Sequence, residues 1–265
     1  MSIYDLPDPI EILLDPISLV ILAGYAGLIL WEAIAPARKL PITKGWKTRT
    51  TLTFTVYFFL SSYLPMIWDQ YLAPYQLLDF SGLGIISGAL VGILVYELGA
   101  YVWHRSMHRS TLLWRGFHQM HHSAERLDTW SAFYFSPLDM LGWTVLGSIS
   151  LVLLVGIPPQ AVTIFLLVTT FLAIFQHANI RTPQWLGYLI QRPESHSVHH
   201  ARNHHANNYS DLPVFDMLFG TFKNPKTFAV ETGLYPGASE RIVDMVLFKD
   251  VSEPASATSR NSALN

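Results

Sequence analysis

The sequence predicts an all-α integral membrane protein: a bundle of helices in the bilayer, with a helical cap on its cytoplasmic face. Three observations predict it. Of the 265 residues 51% are hydrophobic and 14% charged, against ~25% charged in soluble proteins, and the mean hydropathy is +0.29. The apolar residues arrive in five long blocks. All 17 lysines and arginines fall on one side of the path those blocks trace. The same composition excludes other classes. With no cysteine there is no disulfide scaffold, thiolate zinc site, cysteine-ligated iron–sulfur cluster or cysteine nucleophile. A net charge of −2 gives no electrostatic case for binding nucleic acid.

The blocks are judged against the ~20 apolar residues a bilayer requires. The first, 16–35, is preceded by neither a basic n-region nor a small-residue cleavage site, so it reads as a membrane helix rather than a signal peptide. The second is 50–68. The third, 82–103, carries Gly84, Gly88 and Gly92 at four-residue spacing, which predicts close helix packing. Gly82-x-Gly84 is no dinucleotide loop, because no strand precedes it. The fourth and fifth, 140–156 and 161–176, are short and joined at Pro158-Pro159, which breaks the helix and makes a tight hairpin. They either cross fully or enter part way. Residues 1–250 are expected to form a single membrane-embedded domain, and 251–265, rich in Ser, Ala and Asn, a disordered tail.

Charge orients the bundle. If all five blocks cross, one side receives residues 1–15, the 69–81 loop and the Pro158-Pro159 turn. That side holds Asp5, Asp8, Glu11, Asp15, Asp69 and Asp79 and not one Lys or Arg. Five basic residues (Arg38, Lys39, Lys44, Lys47 and Arg49) sit in the first short loop of the other side, where the positive-inside rule is most informative. That side, with segment 104–139 and everything after 177, is predicted to be cytoplasmic.

All 11 histidines lie between positions 104 and 205. His104 and His108 are spaced i, i+4 and share one face of a continuing helix. His118-Gln-Met-His121-His122 follows after nine residues, His177 stands at the cytoplasmic end of the fifth block, and His196-Ser-Val-His199-His200 precedes His204-His205. The predicted topology delivers every cluster to one membrane face. A lone histidine reads as a satisfied polar residue. Two H-x-x-H-H runs and an H-x-x-x-H on one face read as metal ligands. One zinc ion takes about four ligands, so nine clustered imidazoles suit two ions. Imidazole accepts zinc, copper, iron or nickel and does not choose among them. Carboxylates are sparse nearby. The exception, Glu97, lies seven residues before His104 on the same helical face. It either accepts a hydrogen bond from a ligand imidazole and fixes its tautomer or reaches to cytoplasmic water.

These residues resemble the fatty acid hydroxylase superfamily, membrane di-iron enzymes that include sterol desaturases and alkylglycerol monooxygenases. The resemblance runs from about Glu97 to Phe222. It rests on Glu97-Leu-Gly-Ala-Tyr-Val-Trp-His-Arg-Ser-Met-His108, His118-Gln-Met-His-His-Ser123, Phe175-Gln-His-Ala-Asn179, His196-Ser-Val-His-His-Ala-Arg-Asn203 and Phe215-Asp-Met-Leu-Phe-Gly-Thr-Phe222. The short interval between the first two boxes separates it from acyl-CoA desaturases. The resemblance implies that His104, His108, His118, His121, His122, His177, His196, His199 and His200 ligate two irons, which zinc can replace on purification. Glu97, Asn179 and Asp216 are candidate outer partners. It further implies O2 as co-substrate and hydroxylation or desaturation of an unactivated C–H bond in a lipid (sterol, fatty acyl or ether lipid). The chain departs from the family in having Glu97 where Asp is usual, Tyr134-Phe-Ser-Pro137 where many members carry Arg-x-His-Pro, and Ser210 after Asn-Tyr209 in place of Gly. His204 or His205 is either a further ligand or an exposed loop residue.

Electrons need a separate donor, ferredoxin- or cytochrome b5-like by the same analogy, since the chain shows no Rossmann glycines after a strand and no fused haem segment. Arg105, Arg109, Arg115, Arg126, Arg192 and Arg202 either dock that donor or meet anionic head groups. Tyr57, Phe58, Phe59, Trp103, Trp130, Phe133, Tyr134, Phe135 and Trp143 either line the lipid's path or pack in the ordinary way. The membrane expected is a bacterial inner membrane or the endoplasmic reticulum, depending on the organism. The competing class is a non-enzymatic metal-handling membrane protein, though transporters place their ligands near the midplane. A bis-histidine haem protein would need paired histidines in facing spans. No G-x-S-x-G elbow supports a hydrolase.

Overall fold

A computed structural model describes residues 6–254. Helix α1 (Pro9–Leu14) starts at a reciprocal cap. The Asp8 carboxylate accepts from the backbone N–H groups of Ile10 and Glu11, and the Glu11 carboxylate accepts from that of Asp8, which satisfies donors the first turn leaves open. Asp15 caps α2 (Pro16–Ile34). The chain then runs through α3 (Trp46–Leu72) and α4 (Ile85–Arg109). A short turn α5 (Thr111–Leu113), a π-helical turn over Trp114–His118 and α6 (Gln119–His122) follow. Next come α7 (Pro137–Ser148), capped by the Ser136 hydroxyl and prolonged as a π-helical stretch to Val155, and α8 (Pro159–Phe175). The remainder carries α9 (Pro193–His199), α10 (Pro213–Leu218) and α11 (Ile242–Val246). Among the described residues there is no strand, only an isolated bridge between Ala201 and Thr232.

Among the described residues four helical segments are long and apolar enough to cross a bilayer: Pro16–Ile34, Trp46–Tyr75, Ile85–Arg109 and Pro137–Val155. The 17 residues of α8 reach about 25 Å at 1.5 Å per residue. The chain is an all-α integral membrane protein, as its composition predicted. α4 packs along α8, α3 along α7, and α2 along α8. The outer edge of α4 is an apolar row, Ile86, Leu90, Leu94, Leu98 and Val102, every member exposed. Its inner edge buries Gly88, Ala89, Gly92, Ile93, Glu97, Ala100, Tyr101 and His104. Four-residue spacing thus divides a lipid-facing side from a packed one.

Two of the three spaced glycines make that packing. A Cβ at Gly88 would lie 2.9 Å from Pro158 Cδ and 3.1 Å from Ala161 Cβ, and one at Gly92 would lie 2.8 Å from Ile157 Cδ1. The third, Gly84, serves instead as the N-cap of α4. Because the Pro158 ring and the Ala161 Cβ facing Gly88 are short and rigid, Gly88→Val is expected to destabilise the bundle by about 1–3 kcal/mol. The effect would be read as a lower midpoint of thermal unfolding in detergent; an unchanged midpoint would contradict the close approach.

The π-helical stretch after α7 leaves its last carbonyls without a partner inside the helix. Loop 77–80 takes them up: the N–H groups of Leu77, Leu78 and Phe80 donate to the carbonyls of Leu153, Leu154 and Val155 at 2.8, 3.0 and 3.2 Å. Gly156 closes the stretch at φ 44°, a left-handed conformation that favours glycine. The C-terminal end differs from the composition reading. Val251 is buried beside Met120, Ala238 and Met245, and its N–H donates to Gln119 Oε1 at 3.2 Å. The chain is therefore anchored at 251; residues 255–265 of the expected tail lie outside the described residues, as does Asp5.

Candidate metal centre

The last two turns of α4 present His104 and His108. Ser110 then ends the helix, and its hydroxyl accepts from the Leu113 N–H to start α5. The π turn brings His118 back toward α4, and α6 carries His121 and His122. His177 lies just beyond α8, His196 and His199 are on α9, and His200 caps α9. These nine imidazoles form two groups: His104, His108, His118, His122 and His199 in the first, and His121, His177, His196 and His200 in the second. Within each group one nitrogen per ring lies within 4.8 Å of all the others. All are buried except His108, which is partly so.

The division cuts through both H-x-x-H-H runs. His118 and His122, one helical turn apart, stay together while His121 joins the other group. His196 and His200 likewise stay together while His199 crosses over. Within the groups the Nε2 atoms converge, at 2.9 Å for His104–His118, 3.0 Å for His122–His199, 3.2 Å for His121–His177, and 3.1 Å for both His177–His196 and His196–His200.

In four of the rings the opposite nitrogen is held from outside the group. His104 Nδ1 donates to the Tyr209 carbonyl at 2.8 Å, His199 Nδ1 to the Asn207 carbonyl at 2.7 Å, and His177 Nδ1 to the Ala173 carbonyl at 2.7 Å. His118 Nδ1 lies 3.1 Å from Asp139 Oδ2. A carbonyl only accepts, so each Nδ1 on a carbonyl carries the proton and Nε2 turns a lone pair inward. Burial, followed by repulsion from neighbouring imidazoles, pushes the pKa values of His118, His121, His122, His196, His199 and His200 well below the ordinary value. His177 is pushed down to about 4 by burial. Neutral imidazole is the form that binds metal, and the donor set suits zinc, copper, iron or nickel.

The expected outer partners turn out differently. Glu97 is fully buried and neither snorkels nor meets an imidazole. Its Oε2 accepts from the Ser210 hydroxyl at 3.0 Å and from the backbone N–H groups of Asp211 and Leu212 at 2.9 and 3.1 Å. It therefore fixes the loop whose Tyr209 carbonyl holds His104. Asp216 grips the same loop, accepting from the N–H groups of Tyr209 and Ser210. The Asn179 amide donates to the Arg38 carbonyl, and its own N–H donates to Glu32.

Two carboxyls escaped the sequence reading. Asp139 carried a signal, an acid in the first turn of an apolar segment after Ser136-Pro137. Glu32 looked like the polar end of a span, yet it accepts from the Thr129 N–H and hydroxyl and from the Asn179 N–H, tying α2 to the histidine-bearing segments. Of the arginines proposed for docking, Arg192 is buried in an ion pair with Glu194 at 3.0 Å, whereas Arg109 is exposed. Of the aromatics, Phe135 and Trp143 approach the imidazoles, with ring centroids 5.0 Å from His121 and 5.9 Å from His104. Trp103 packs on Phe117 instead.

The sequence model described as fatty acid hydroxylase matches residues 89–221, which include all nine histidines. The chain belongs to the fatty acid hydroxylase family. It is 35% identical over 141 residues to an ornithine lipid hydroxylase of Rhizobium tropici, covering 51% of this chain and 42% of that protein. It is 30% identical over 132 residues to the alkylglycerol monooxygenase of Homo sapiens, covering 48% and 28%. A very-long-chain aldehyde decarbonylase of Oryza sativa subsp. japonica is 30% identical over 141 residues, covering 50% and 53%. The chain thus spans about half or less of the length of these relatives. No solved structure matches it.

Proposed function

We propose that this member of the fatty acid hydroxylase family oxidises an unactivated C–H bond of a lipid with O2, giving an alcohol or an alkene, at two irons held by the two histidine groups. One observation carries the reading: nine imidazoles, nearly all buried, divide five and four, with one nitrogen of every ring converging on its own group. Such donors fit a pair of ions far better than one. The relatives named for ornithine lipid and alkylglycerol support a lipid substrate. The irons, when bound, supply the activation of O2; the chain's residues do the rest. His104, His108, His118, His122 and His199 would hold one ion and His121, His177, His196 and His200 the other. The carbonyls of Tyr209, Asn207 and Ala173, with Asp139, fix ring tautomers, so the site needs little reorganisation to load. Phe135 and Trp143, packed against His121 and His104, would shield those imidazoles from water.

The basic loops support a cytoplasmic position for the centre, where a separate ferredoxin- or cytochrome b5-like protein would deliver electrons. The deciding measurement is the metal content of protein made with iron supplied and purified without chelators. Two irons per chain without a Soret band, and oxygenated or unsaturated products in the host lipids, are expected. One metal or fewer after reconstitution with iron would overturn the reading in favour of a metal-handling protein. Two zinc ions would support the sites without naming the working metal, since imidazole binds both.

A further inference from the structure

The loop after His200 is built unlike the rest of the chain. Asn203, His205, Asn207 and Asn208 all adopt left-handed backbone angles, with φ of 63°, 42°, 70° and 52°. Non-glycine residues rarely do so, and four in six positions persist only where the surroundings dictate them. The surroundings do. The Asn208 amide donates to the Ser195 and Lys223 carbonyls and accepts from the Lys223 N–H, and the Asn207 amide donates to the Thr221 carbonyl. The fixed loop then turns toward the first histidine group. It offers the Asn207 carbonyl to His199, the Tyr209 carbonyl to His104, and the His205 ring to His122, with Nδ1 2.9 Å from Nδ1.

From this geometry we infer that His205 is a positioning residue for His122 and not a ligand. The inference rests on the metal reading of the first group. His122 points Nε2 inward, 3.0 Å from His199 Nε2. Bound through that atom, it keeps its proton on Nδ1 and donates it to His205 Nδ1. His205 thereby spends on His122 the one nitrogen that faces the group, and its own proton sits on Nε2 at the far side of the ring. Trp114 fixes the pair, its ring 5.2 Å from His122 and 5.5 Å from His205. Such an outer partner holds the orientation and basicity of a ligand, and its loss costs ~10–100-fold in metal affinity.

The test uses the full chain in detergent loaded with cobalt(II), whose visible absorption reports the imidazole-bound ion, and follows metal release to excess chelator. A His196→Ala, His200→Ala background confines cobalt to the first group. The same substitutions in the otherwise native chain guard against misfolding of that background. His205→Gly keeps the left-handed backbone and removes the ring. It is expected to bind cobalt in unchanged amount and release it ~10–100-fold faster, altering only one of the two release phases of the native chain. His205→Asn places an acceptor oxygen where Nδ1 stood and tolerates the same backbone, so it should restore slow release. Loss of one cobalt from His205→Gly would make His205 a ligand and overturn the assignment. Release at the native rate, or failure of asparagine to restore it, would overturn it too. A native chain that takes up no cobalt would sink the metal centre itself, and this role with it. Failure confined to the variants would sink the role of His205 alone.

Discussion

Replacing His121 by alanine is expected to abolish turnover and remove one metal per chain, while the protein still inserts in the membrane. Losing an outer partner of a ligand already costs ~10–100-fold, so losing the ligand itself should exceed ~100-fold in activity. The geometry sharpens this into a test of the division. His121 and His122 are chain neighbours, yet their rings stand 5.5 Å apart at 87° and belong to different groups. His121→Ala and His122→Ala should therefore each remove one metal, and a different one. The double variant His121→Ala, His122→Ala should lose both. His121→Ala, His177→Ala should lose only one, because both residues serve the second group and their effects cannot add. Two metals lost from the 121/177 pair and one from the 121/122 pair would refute the division, whatever the activities.

The fold was legible because bilayer helices are dictated by length and hydropathy, which a single sequence carries in full. The π-helical stretch after α7 was not, since it exists by virtue of loop 77–80, which lies some seventy residues away in sequence and takes up its carbonyls. The histidine clusters were legible through spacing. Their division was half visible: a spacing of four keeps His118 with His122 and His196 with His200, but which group takes His121 and His199 depends on how α6 and α9 face each other. Glu97 shows where helical periodicity misleads. Seven residues from His104 on one face, it read either as a ligand imidazole's partner or as an acid reaching to cytoplasmic water, but it is taken up by the loop at 210–212. A backbone carbonyl, such as those of Tyr209 and Asn207, has no sequence signature at all. Arg192 read as a surface charge because its partners, Glu194 and the carbonyl of Thr182 among them, assemble only in the fold.

Glu97→Ala is expected to be the most destabilising change away from the histidines, and Glu97→Gln a mild one. In the native chain a single oxygen, Oε2, accepts from the N–H groups of Asp211 and Leu212 and from the Ser210 hydroxyl. Alanine strands the two N–H groups in a partly buried position, at ~1–3 kcal/mol each; the hydroxyl is spared, because it also reaches the Leu212 carbonyl at 2.7 Å. A total on the order of 3 kcal/mol would appear as a large drop in the unfolding midpoint in detergent. Glutamine keeps an acceptor oxygen in place and should cost about 1 kcal/mol or less. The effect should also reach the metal, because the tethered loop presents the Tyr209 carbonyl to His104 and Asp216 holds the same loop from its other side. Glu97→Ala should hence lose metal from the first group sooner than from the second. A Glu97→Ala protein that melts like the native one would refute the tether. One that melts early but loses both metals at equal rates would refute its connection to His104.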